Sequence, residues 1–269
     1  MKKILLSIIT FLLVVNILSP VSATQDNQNT VSFDKLLTKN DEVNAIIYFE
    51  AAKIYSAKKD HENAVNYYTK AIELNPKLVP AYIGRAKDCG DMGDYKCSLE
   101  NYEALKSMYP NEHFFYHMSS LYKTNTKDLD GAMEDIDKAI SMVKKPESMY
   151  YAQKAWVYLE KKDYDNAKDY LKKSLKINPN DGYALGLLMI MAVDNENYDT
   201  VIRIVRHMLK VDPAAKYNPA MYATYAKALY KTGKRKEAIK QINTSLQLEP
   251  HDKENIKLKE KMLNGESID

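Results

Sequence analysis

The sequence predicts an all-α fold, an α-solenoid of about six tandem helix-turn-helix hairpins followed by a C-terminal capping helix. The first observation behind this is a proline that returns at one phase. Leu-Asn-Pro ends at Pro76, Met-Tyr-Pro at Pro110, Ile-Asn-Pro at Pro179, Val-Asp-Pro at Pro213 and Leu-Glu-Pro at Pro250. Pro76 and Pro110 lie 34 residues apart, as do Pro179 and Pro213. Such a period in a chain rich in helix formers means stacked helical hairpins rather than one globular core. The second observation is apolar spacing that stops and restarts within each period. Tyr48, Ala51, Ala52 and Tyr55 share one helical face, Lys58 to His61 break it, and Ala64, Tyr68 and Ala71 resume it. The third is the small residues Ala52 and Ala64, which let two antiparallel helices approach closely.

Taken in order, residues 1–23 read as a secretory signal peptide. Lys2 and Lys3 precede an apolar run from Ile4 to Leu18, and Val21-Ser22-Ala23 supplies small residues for cleavage. The run is shorter than the roughly 20 residues of a spanning helix and Asn16 interrupts it, which favours cleavage near Ala23 over an anchor. No later stretch is apolar enough to span a membrane, so no stable insertion is expected after cleavage, and the chain is expected to be exported, periplasmic or secreted. Residues 24–44 form an N-terminal segment. Thr24 to Thr30 has a composition favouring disorder, and Ser32 to Lys39, with Phe33, Leu36 and Leu37, suits a short helix over the end of the array. The solenoid spans 45–250, divided as 45–78, 79–111, 112–147, 148–181, 182–218 and 219–250. A capping helix at 251–264 and a tail at 265–269 complete the chain, since end repeats need a polar outer face.

The repeat positions resemble the tetratricopeptide repeat family, which places a large residue at position 4, small ones at 8 and 20, aromatics at 11 and 24, alanine at 27 and proline at 32. The first repeat matches with Tyr48, Ala52, Tyr55, Ala64, Tyr68, Ala71 and Pro76; the fourth with Tyr151, Ala155, Tyr158, Ala167, Leu171, Ser174 and Pro179. The second carries Tyr82, Ala86, Cys89, Ser98, Tyr102, Leu105 and Pro110, and the sixth Tyr222, Ala226, Leu229, Ala238, Ile242, Ser245 and Pro250. Two repeats depart. Matching Phe115, Ser119 and Tyr122 to the first helix of the third repeat requires one extra residue in the turn around Thr124 to Lys127. The fifth repeat replaces small and aromatic residues with Leu185, Met189, Val201, Val205 and Met208, and a longer connection, Ala214 to Asn218, follows it.

No Gly-rich phosphate loop, nucleophile elbow or zinc-protease helix is present, so no enzyme, cofactor or catalytic residue is expected. His61-Glu62 begins like a metalloprotease motif, but Val65 stands where the second histidine would be needed, leaving His61 in a solvated turn. His113 and His117 have the spacing of a metal-binding pair, yet the neighbouring inner positions hold Lys87 and Gln153, so no metal is expected. Without Lys2 and Lys3 the chain has 37 basic and 36 acidic residues, which gives no reason to expect nucleic acid. Cys89 and Cys97 sit on the two helices of one hairpin, Cys89 inward and Cys97 leaning outward. A bridge, or one buried and one peripheral thiol, both remain open on this register.

The resemblance implies a concave groove lined by first helices at positions 2, 5, 6 and 9. Those positions nominate Phe49, Lys53, Ile83, Lys87, Tyr116, His117, Trp156, Tyr183, Leu187 and Lys227 as groove residues. It also implies a non-catalytic scaffold that holds an extended peptide or helix on aromatic and aliphatic anchors, with Lys53, Lys87 and Lys227 steering acidic flanks. An assembly factor for an envelope or secretion complex is a narrower form of this expectation. Glycan or small-ligand binding on the aromatic groove is an alternative of another class. The lysine and asparagine clamp that some family members use on acidic C-terminal tails is not matched, since Phe49, Lys53 and Gly84 occupy its places.

Overall fold

A computed structural model describes residues 36–268. The expected signal peptide, the 24–30 segment and Phe33 lie outside the described residues. Residues 37–40 are not helical. Instead Asn44 ties back to Thr38, whose amide donates to the Asn44 side chain at 2.7 Å, and Asn40 caps the first helix.

Thirteen α-helices and no strand occur among the described residues. They pair into six hairpins: α1 (Asp41–Ala57) with α2 (His61–Leu74), α3 (Val79–Asp91) with α4 (Tyr95–Met108), α5 (His113–Asn125) with α6 (Leu129–Ser141), α7 (Ser148–Glu160) with α8 (Tyr164–Ile177), α9 (Gly182–Asp194) with α10 (Tyr198–Val211), and α11 (Pro219–Lys231) with α12 (Arg235–Leu248). A 3-10 turn, Ala214–Tyr217, lies in the long connection before α11, and α13 (Lys253–Asn264) covers the end. Among the described residues no helix is long and apolar enough to cross a membrane.

Every hairpin turns in the same way. One residue adopts positive φ: Lys59, Gly93, Lys127, Lys162, Glu196 and Gly233 in turn. The next residue is the N-cap of the second helix, and the side chains of Asp60, Asp94, Asp128, Asp163 and Asn197 each accept the amide hydrogen three residues on. This satisfies one of the amides that a helix start leaves without a partner. Lys234 makes no such cap.

The uniform turn corrects the register expected for the third hairpin. Helices α3, α5, α7, α9 and α11 all begin 14 residues before their positive-φ residue (93 − 79, 127 − 113, 162 − 148, 196 − 182, 233 − 219). The turn near Thr124 to Lys127 therefore holds no extra residue, and the repeat begins at 113 rather than 112. The surplus falls in the 142–147 connection, which contains Pro146. Tyr116 is then the counterpart of Tyr82. Both hydroxyls donate at 3.2 Å to the carbonyl of the preceding proline, Pro110 and Pro76 respectively.

Within hairpins the helices cross at small residues. Ala52 and Ala64, Ala86 and Ser98, Ser120 and Ala132, Ala155 and Ala167, and Ala226 and Ala238 are all fully buried. Where serine replaces alanine its hydroxyl finds a carbonyl across the crossing: Ser98 donates to Ala86 and Ser120 to Ala132, both at 2.7 Å. Met189 and Val201 take these places in the fifth hairpin. Between hairpins, α1 meets α3, α5 meets α7 and α7 meets α9, while no pair of second helices packs to that extent. The first helices thus form the inner wall of the array.

Candidate interaction groove

The inner wall presents its apolar surface mainly on α7 and α9. Tyr183, Gly186, Ile190 and Val193 recur at spacings of three and four, so they share one face of α9. Tyr183, Ile190 and Val193 are exposed, Ile190 by 54%. A side-chain carbon added at Gly186 would meet nothing within 4 Å. Trp156 on α7 stands beside this stripe, its ring edge-on to Tyr183 with centroids 6.2 Å apart. Its indole N–H donates to Glu160 at 3.2 Å, which fixes the ring. The Tyr183 hydroxyl points toward Gln153 Oε1 at 3.4 Å. Burial of that hydroxyl, with the Asp181 and Glu160 charges adding, raises its pKa well above the tyrosine range.

Several expected groove residues sit elsewhere. Leu187 is buried against Ala152, Ala155, Leu171 and Ala184, because it faces the crossing with α7 and α8 rather than the open wall. His117 is 5% exposed, its ring edge-on to Tyr150 at 5.1 Å. Burial, then the neighbouring His113 charge, lowers its pKa to about 4. Tyr116 is a scaffold residue, as its proline contact shows; the one-residue register shift moves Phe114 onto the wall, where it is 37% exposed. That shift is also why sequence reasoning missed Phe114.

The outer ends of the wall are more polar. Phe49 is partly buried against Tyr68 at 5.9 Å, and Lys53 lies over its ring at 5.4 Å while pairing with Glu50 at 2.9 Å. Glu50 therefore offsets the Lys53 charge before any acidic partner arrives. Ile83 is partly buried and Lys87 exposed on α3. Lys227 lines a pocket of about 280 Å³ with Val193, Tyr198, Thr224 and Ile268.

Behind the wall lies a polar interior. Asp135 binds Lys106 at 2.7 Å and Lys123 at 2.8 Å, and the Ser119 hydroxyl contacts both Asp135 and Glu103 at 2.6 and 2.7 Å. Burial raises the Glu103 pKa, but the Ser119 hydrogen bond and the Lys106 and Lys123 charges outweigh it, leaving the carboxyl below its ordinary range. A second chain runs through Gln153, whose amide donates to Ser120 and Thr124 at 3.2 and 3.1 Å. Cys89 and Cys97 are bonded, with α-carbons 5.9 Å apart, so the second hairpin carries a disulfide between its helices.

Hairpins stacked by small crossings, with an aromatic inner wall, define an α-solenoid of the interaction-scaffold class. The tetratricopeptide repeat model matches residues 45–78, 150–181 and 219–252. Three of the six hairpins thus match the tetratricopeptide repeat model, and the other three are built alike. The chain is 28% identical over 129 residues to human tetratricopeptide repeat protein 6, a match covering 48% of this chain and 24% of that protein. The chain thus matches about a quarter of that relative's length. Among solved structures it resembles a tetratricopeptide repeat protein from Parabacteroides merdae (TM-score 0.68, 14% identity, 82% of this chain and 85% of that one). It also resembles PilW, described as a type IV pilus biogenesis factor (TM-score 0.65, 16% identity, 80% and 97%). At these identities the two structures speak to the fold.

Proposed function

We propose that this chain is an exported, non-catalytic scaffold whose inner wall holds an extended peptide or helix of a protein partner. The observation that carries this is the exposed stripe Tyr183, Gly186, Ile190 and Val193 beside the fixed Trp156 ring. Exposed apolar patches with aromatic anchors commonly mark binding surfaces. Gly186 leaves room for a partner side chain, and Lys227 beyond Val193 suits a ligand with an acidic flank. Export rests on the signal-like residues 1–23, and an assembly role in an envelope complex would be one form of the same activity.

A photo-crosslinking amino acid at Ile190, compared with one at Ile177 on α8, tests the reading in the native cell envelope. A defined protein adduct should form at 190 and not at 177, and Trp156→Ala should weaken it while helicity is kept. Equal labelling at both sites, or an adduct indifferent to Trp156→Ala, would sink the proposal. Thermal shifts with oligosaccharides and no protein adduct would favour a glycan ligand instead.

A further inference from the structure

Away from the groove, three side chains converge where the first hairpin meets the second. His61 is the first residue of α2, and Asp88 and Asp91 lie one turn apart at the C-terminal end of α3. His61 Nδ1 is 2.6 Å from Asp88 Oδ1 and 4.0 Å from Asp91 Oδ2, and one donor atom from each residue falls within 4.8 Å of the others. The turn expected to be solvated is therefore tied across 27 residues of sequence.

A second observation points to a ligand. Asp88 is fully buried, and its Oδ2 has no hydrogen-bond partner. A buried carboxylate oxygen left unsatisfied is costly. A cation held by both oxygens of the carboxylate would remove that cost, and the negative end of the α3 dipole favours positive charge there. The side chain of Asp91 is 47% exposed, so solvent reaches the cluster and water can complete a coordination shell. At the next joint the equivalent places hold Tyr95, Tyr122 and Asn125, and the two tyrosine rings fill the space at 6.4 Å. The same architectural spot is occupied by an aromatic pair there and by three donors here.

We propose that His61, Asp88 and Asp91 bind a divalent first-row transition ion that pins the first hairpin to the second. One imidazole nitrogen with carboxylate oxygens suits zinc, cobalt or nickel, whereas calcium takes a shell of oxygens. Ion binding to the folded state alone stabilises it by mass action.

The test uses the full chain without reductant, so that Cys89 and Cys97 stay bonded and cannot supply thiolates. Zinc titration by calorimetry and cobalt titration by visible absorption should each show one saturable site, with zinc raising the melting temperature. Asp91→Asn, at an exposed position, and His61→Gln should keep the fold and weaken affinity by more than about tenfold, the loss typical even of an outer-shell partner. Asp88→Asn should remove the site, and His251→Gln should leave it unchanged. Absence of one-to-one binding, affinity unaltered in both Asp91→Asn and His61→Gln, or equal stabilisation by calcium would overturn the assignment.

Discussion

The third and fifth hairpins share the same turn and nearly the same helix lengths, yet their interiors differ in kind. The third encloses Ser119, Ser120, Thr124 and Asp135, with Lys106 and Glu103 reaching in from α4 and Lys123 from α5. The fifth encloses Val201, Ile202, Ile204, Val205 and Met208. Both keep the same turn although Met189 and Val201 replace the small pair Ser120 and Ala132 at the crossing, which shows that the architecture constrains the turns and leaves the chemistry between the helices open. The difference lies in what each interior tolerates. A dry core responds to volume and shape, whereas a polar one responds to the loss of any single partner and to pH.

The largest effect should come from breaking the polar side of this pair. Asp135→Ala leaves two largely buried lysine ammonium groups with the half-exposed Glu103 as their shared acidic partner and should cost up to roughly 3–5 kcal/mol. Hydrogen exchange in α5 and α6 would register it, and the combined change Asp135→Leu, Lys106→Met and Lys123→Met should restore most of the loss. If the triple variant is as unstable as Asp135→Ala, the polar interior contributes more than paired burial.

Next in size is a pH effect confined to the third hairpin. His117 is held near pKa 4, against 6.5 for an exposed histidine. Between those values the unfolded chain binds a proton that the folded chain does not. Stability therefore falls as pH drops from about 6.5 to 4, by about 3 kcal/mol in all, and the loss is complete below the folded value. His117→Leu should flatten denaturant midpoints across the upper part of that window. An unchanged slope in the variant would show that other groups carry the dependence.

The smallest effect sharpens the dry side. Gly186 sits inside α9 with open space around its α-carbon, so Gly186→Ala should raise stability by about 0.5–1 kcal/mol, seen as a higher urea midpoint. Gly186→Phe should keep the fold and block the partner adduct at Ile190.

Much of the scaffold was legible because the prolines and small crossings are local signals. The third hairpin was misread by one residue because Phe115 and Tyr116 are both aromatic, and either can fill the large position. Only the turn geometry separates them, and a lysine at positive φ leaves no mark in a sequence where lysine is common. Trp156 and Tyr183 were legible on the wall, while Leu187 and His117 were not recognisable as buried, because burial there depends on the angle between successive hairpins. The His61, Asp88 and Asp91 cluster was invisible for a related reason. His61 belongs to one repeat and Asp88 and Asp91 to the next, and no short motif joins them.

The four turns built on Lys59, Lys127, Lys162 and Glu196 have a consequence for how this protein can change. Each holds a side chain in a left-handed conformation that glycine adopts without steric penalty, as Gly93 and Gly233 do. They lie at hairpin tips, separated along an array in which each repeat touches mainly its neighbours. Stability can therefore be adjusted in small, independent increments at sites remote from the wall, leaving the residues of the wall free to change on their own.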